Sequence, residues 1–137
     1  MTYKEFRIQY ALGVFSKEDL EEKIEHTKDK RILDLLSRDK DPDIRFCVSF
    51  NSITPNDTLE KLSKDKSSQV RFSVASNKNA SQNILEKLSK DKDYNVRRSV
   101  VENPNVSMEI LEKLSKDKEV YVRRACKYSY INISKVK

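Results

Sequence analysis

The octapeptide LEKLSKDK occurs three times in this chain, starting at Leu59, Leu85 and Leu111, 26 residues apart each time. A looser copy, LDLLSRDK, starts 26 residues before the first, at Leu33. A fixed period of this length marks stacked supersecondary units, each too small to bury its own apolar face. With phase 0 at these four leucines, phase 3 is Leu36, Leu62, Leu88 and Leu114. Leucines at i and i+3 with charges between them make one apolar stripe on a polar helix. Phase 11 (Ile44, Val70, Val96, Val122) and phase 15 (Val48, Val74, Val100, Cys126) lie four apart, on one face of a second helix. Phase 14 is always small (Cys47, Ser73, Ser99, Ala125), which suits close helix approach.

Boundary signals agree with two helices per unit. Thr54-Pro55 reads as an N-cap followed by proline at the first helical position, where the missing N–H costs nothing. Ser81 and Ser107 take the cap position in later copies, and Asp41-Pro42 opens the second helix of the first. Asn51, Asn77 and Asn103 at phase 18 read as helix exits, because Asn tolerates the left-handed conformation and bonds local backbone. In the fourth unit phase 18 is Ser129, and the tail YSYINISKVK lacks the loop pattern. Residues 1–32 fall outside the period; Ser16 with Asp19 reads as a cap for a helix carrying Leu20 and Ile24.

The expected fold is an all-α, helical-repeat solenoid of about four 26-residue helix-turn-helix units, 33–58, 59–84, 85–110 and 111–137. Residues 1–32 are an N-terminal helical cap in the same domain, and the tail covers the other end. One Gly and three Pro in 137 residues disfavour a turn-rich β fold. No run approaches the ~20 apolar residues of a membrane span. The start MTYKEFRIQY carries charges where a signal peptide is apolar, so a cytosolic protein off the membrane is expected.

Catalytic signatures are missing. There is no Gly-rich phosphate loop, no HExxH and no nucleophile with a partner base. His26 stands alone in a charged segment, and Cys47 and Cys126 sit among apolar neighbours, as small buried thiols do. No enzyme activity, metal or cofactor is expected, and the natural role for such an array is binding or scaffolding.

The segments DPDIRFCVSFNSITPNDTLEKLSKD and VRRSVVENPNVSMEILEKLSKD resemble the variant leucine-rich repeat, whose pattern runs roughly D-x-x-x-x-V-R-x-x-V-A-x-N-P-x-T-P-x-x-L-L-x-x-L-A-x-D. The match covers about residues 33–128, and it is also similar to HEAT-like repeats. The resemblance implies an α-helix alternating with a shorter, often 3₁₀, helix in a right-handed superhelix. The period here is slightly longer than the family's. The clustered cysteines that hold an iron–sulfur cluster in some members are absent, so that cofactor is not carried over.

Two repeated residues carry the strongest charge pattern. Asp39, Asp65, Asp91 and Asp117 hold phase 6, and Arg45, Arg71, Arg97 and Arg123 hold phase 12. One acid tracks each arginine, which favours a structural ladder to an Asp and to carbonyls of the same or the adjoining unit. The alternative is an arginine stripe for phosphate.

Function, by contrast, is sought where the units differ. Phase 13 runs Phe46, Phe72, Arg98, Arg124; phase 17 runs Phe50, Ser76, Glu102, Tyr128; phase 10 ends in Tyr121. Aromatics and Arg anchor interfaces, so Phe72, Arg98, Arg124, Tyr121 and Tyr128 are the candidate partner-binding residues. The competing reading packs Phe46 and Phe50 under the N-terminal cap and Tyr128 under the C-terminal one. A protein partner is the first expectation. Net charge rises from −2 over 33–58 to +5 over 111–137, so nucleic acid bound by Arg98, Arg124, Lys118 and Lys127 is the alternative. Self-association through the tail or an incompletely covered end is the third.

Overall fold

The computed structural model describes residues 1–136; Lys137, placed above in the fourth unit, lies outside the described residues. The described residues form ten α-helices and no strand. No helix among them is long and apolar enough to cross a membrane.

Two helices precede the repeat. Helix α1 (Tyr3–Ala11) opens on a capping box in which Glu5 and Thr2 satisfy each other's amides. It closes at Gly13, φ +68°, with the Gly13 amide on the Tyr10 carbonyl and the Val14 amide on that of Gln9. This is the Schellman arrangement, which requires the left-handed residue that Gly supplies without strain. Helix α2 (Lys17–His26) opens on the Ser16–Asp19 capping box and buries Leu20 and Ile24. Phe6 is fully buried and stacks on Phe15 at 4.9 Å.

Each unit then contributes a short and a longer helix. The short ones are α3 (Lys30–Leu36), α5 (Asn56–Leu62), α7 (Gln82–Leu88) and α9 (Met108–Leu114). The longer ones are α4 (Pro42–Phe50), α6 (Ser68–Ser76), α8 (Tyr94–Glu102) and α10 (Val120–Val136). Both kinds are α-helical, so the 3₁₀ helix implied by the resemblance is not what forms. Each short helix ends on the octapeptide's serine: Ser37, Ser63, Ser89 and Ser115 donate to the carbonyl three residues back at 2.6 Å. The longer helices pack in succession, α4 on α6, α6 on α8, α8 on α10, with α2 on α4 and α1 on α3. Leu33, Leu59, Leu85, Val48, Val74 and Val100 are fully buried in the common seam, each worth about 1.5–3 kcal/mol of transfer free energy.

Three boundary expectations need correction. Thr54 is no N-cap: α5 starts at Asn56 behind Pro55 without a side-chain cap, and the buried Thr54 hydroxyl donates to the Val48 carbonyl at 2.6 Å. The loop is tied back to the preceding helix instead. Asn51, Asn77 and Asn103 have φ of −66°, −72° and −67°, extended rather than left-handed. The tail is no separate element but prolongs α10 through Ser129 to Val136, with Tyr128, Tyr130 and Val136 exposed.

Polar links join neighbouring units. Arg45 grips Asp65 of the next unit through Nε (2.6 Å) and Nη2 (3.0 Å); Arg71 grips Asp91 and Arg97 grips Asp117 in the same bidentate way. Each Nη1 meanwhile donates to the phase 6 carbonyl of its own unit, at 2.8 Å in all three. Both partners are under 10% exposed, so these three arginines are unavailable to a phosphate ligand. Burial pushes the carboxyls of Asp65, Asp91 and Asp117 up. The arginine hydrogen bond, a backbone amide two residues on and the arginine's charge outweigh it and hold them below the ordinary value.

At the N-terminal end Asp39 meets the Tyr10 hydroxyl, which donates at 2.5 Å; burial, then this bond, pushes the phenol's pKa up. A second ladder uses Asn. Asn77 Nδ2 donates to the carbonyls of Ser49 (2.8 Å) and Asn51 (3.0 Å), and Asn103 repeats this on Ala75 and Asn77. A third, exposed one pairs Lys61 with Asp34, Lys87 with Glu60 and Lys113 with Glu86.

Candidate functional site

The Asn ladder stops where Ser129 replaces Asn. Because α10 continues through Ser129, no loop among the described residues covers the one at 103–106, and a groove of about 870 Å³ opens between that loop, α8 and α10. Its floor is apolar, from Val106, Ala125 and Ile133, and Asn103 and Pro104 form one edge. Arg98, Glu102, Tyr121, Arg124 and Tyr128 line the walls.

Four of the five residues singled out for partner binding thus meet at one groove. Phe72 does not line it; it lies on α6, 37% exposed. Tyr121 is 54% exposed and stacks on Tyr94 at 6.0 Å. Tyr128 is 68% exposed and Phe50 72%, so neither is packed under a cap; Phe50 stacks on the half-buried Phe46. Arg98 donates to Glu102 Oε1 at 2.8 Å, one turn along the same helix. The groove therefore pairs an apolar floor with both signs of charge.

The cations of the C-terminal half are not on one surface. Arg98 and Arg124 line this groove, whereas Arg123 and Lys127 line another one, between α9 and α10. Several repeated cations are also matched: Arg38 by Asp34, Lys90 by Glu86.

Among the described residues no three His, Cys, Asp or Glu side chains cluster to hold a metal ion. Cys47 and Cys126 are free thiols, and burial raises both, Cys126 to about 11, far from a thiolate at neutral pH. His26 is exposed, with Nδ1 at 3.0 Å from the Glu22 carbonyl.

Glu102 and Tyr94 were missed as site residues by sequence reasoning, as was the contribution of the tail through Ile133 and Val136. The missing phase 18 Asn was the visible signal. No family model matches the chain, and no curated protein or solved structure matches it either.

Proposed function

We propose that this chain is a helical-repeat solenoid of the variant leucine-rich, HEAT-like kind, acting without catalysis as a binding or scaffold module for a protein partner. The partner sits in the groove between α8 and α10. The observation that carries this reading is the convergence of Arg98, Arg124, Tyr121 and Tyr128 on one apolar-floored groove. Exposed aromatic rings and arginines around an apolar floor are how protein hot spots are built. The Arg98–Glu102 pair adds directional polar contacts, which suit a polypeptide better than a uniform phosphate backbone. Two free thiols favour a reducing compartment such as the cytosol.

The double variant Tyr121→Ala/Arg124→Ala tests this. Both side chains are exposed and the main loss is the Tyr94–Tyr121 stack, so its melting temperature should stay within about 5 °C of the wild type's. Partners captured by cross-linking to the wild type should be lost, with affinity falling roughly tenfold or more. Equal capture by both chains would sink the reading. Duplex DNA binding that weakens steeply with salt would replace the protein partner by nucleic acid.

A further inference from the structure

The far end of the repeat carries a second groove, of about 660 Å³, between α9 and α10, and it shares no lining residue with the first. Arg123 and Glu112 stand on its walls. Both are members of ladders that are complete in every preceding unit and open here. Arg123 Nη1 donates to the carbonyls of Asp117 (2.7 Å) and Lys118 (2.9 Å), the own-unit clamp that Arg45, Arg71 and Arg97 also make. The guanidinium is therefore already held in the ladder pose. Its Nε–Nη2 edge, which in the other three units grips a carboxylate, has none among the described residues. Glu112, at the phase where Asp34, Glu60 and Glu86 each accept a lysine of the next unit, has no ion-pair partner among the described residues.

We infer that this groove is a docking site for an amphipathic helix of another protein. That helix presents two apolar residues three apart with a base between them, and the turn that ends it presents an acid three residues after the second. The pattern follows from the rungs themselves. Phases 0 and 3 fill the apolar seam, phase 2 meets the open glutamate and phase 6 meets the open arginine. Met108, Tyr130 and Ile131 supply exposed apolar surface for it. A second copy of this chain does not fit: its matching leucines are buried in its own units, and its first acid, Asp39, is occupied by Tyr10 under α1. Lys127 sharpens the choice further. It stands at phase 16, where Ser49, Ala75 and Val101 are fully buried, so the seat has an extra cation and favours a helix richer in acid than this chain's own.

The probe is a synthetic, end-capped peptide of the chain's own pattern, SMEILEKLSKDK (residues 107–118), titrated into ¹⁵N-labelled protein. Saturable shifts are expected at Leu111, Cys126 and Ile131. Changing the peptide's aspartate to asparagine, or the protein's Arg123→Gln, should weaken binding roughly tenfold, the loss of one bidentate charge-assisted pair. The peptide change leaves the protein intact, so a folding defect in Arg123→Gln does not blunt the test. No saturable shift at millimolar peptide, an affinity indifferent to both changes, or shifts centred on Tyr121 and Tyr128 would overturn the inference. So would self-association of the peptide-free chain that Arg123→Gln abolishes, which would assign the seat to a second copy.

Discussion

Replacing Arg71 with methionine is expected to destabilise the fold by about 3–5 kcal/mol, because it strands the buried Asp91 carboxylate without its partner. For a chain of this length that is a fall in melting temperature of roughly 10–17 °C. Two further connections go with it, the bonds from Nη1 to the Asp65 and Lys66 carbonyls. Arg71→Lys keeps the charge but cannot fork to the carboxylate while also reaching the carbonyls, so it should recover only part of the loss. Arg71→Met combined with Asp91→Leu should cost less than the sum of the two, since no unpaired charge is then left buried.

The same rungs set the acid limit. A carboxyl whose folded pKa lies below its unfolded value stabilises the fold above that unfolded value, ordinarily 3.8. The contribution disappears as pH falls through 3.8 towards the folded value. Melting temperatures followed downward from about pH 5 should therefore drop in the wild type and drop less in Arg71→Met, which has one rung fewer. Identical acid limbs and an unchanged melting temperature would show that the arginine rungs carry no stability.

The second large effect is expected at Asn77. Its side chain is buried and satisfies three backbone groups: the carbonyls of Ser49 and Asn51, and the Asn79 amide at 2.8 Å. Ser49 lies in the last turn of α4, where carbonyls have no partner within the helix. Asn77→Leu leaves the Ser49 carbonyl buried and unpaired and takes one bond each from the Asn79 amide and from the Asn51 carbonyl, which keeps the Thr54 amide, at a cost of about 3 kcal/mol. Asn77→Asp keeps the shape but replaces two donors with acceptors, so at neutral pH it should be at least as damaging. Urea midpoints at constant m-value measure both. A shift of under about 0.5 kcal/mol for Asn77→Leu would mean that water or a small loop movement replaces the ladder.

These two sites show what the sequence makes legible. Helical class follows from contacts three and four residues apart, so Leu59 with Leu62 and Val70 with Val74 suffice to announce two helices. Pairing in space does not follow. The period makes Asp and Arg recur, but an arginine is six residues from its own unit's acid and twenty from the next unit's, and spacing alone does not choose. The structure uses both, the carbonyl of the near one and the carboxylate of the far one. Asn77 was read locally, as a loop residue. Its amide group in fact spans 28 residues to Ser49, a connection that exists only once neighbouring units are packed. The groove was legible in its walls but not its floor: Arg98 and Tyr121 stood out because they break the repeat, whereas the opening itself depends on α10 failing to turn at Ser129.

The two ends of the arginine series are unlike, and this gives the molecule a direction of unravelling. The first rung is closed by a phenol from α1, under a fully buried phenylalanine; the last is a solvent-exposed guanidinium followed by a helix with mostly exposed side chains. A terminal stretch whose side chains are mostly exposed opens at a lower free energy than a core helix, and the distal turns of α10 are such a stretch. Amide exchange should therefore be fastest in the distal turns of α10 and slow progressively through α8 and α6. A ligand seated on either groove at that end would slow exchange there first, working as the clasp that the last unit does not itself provide.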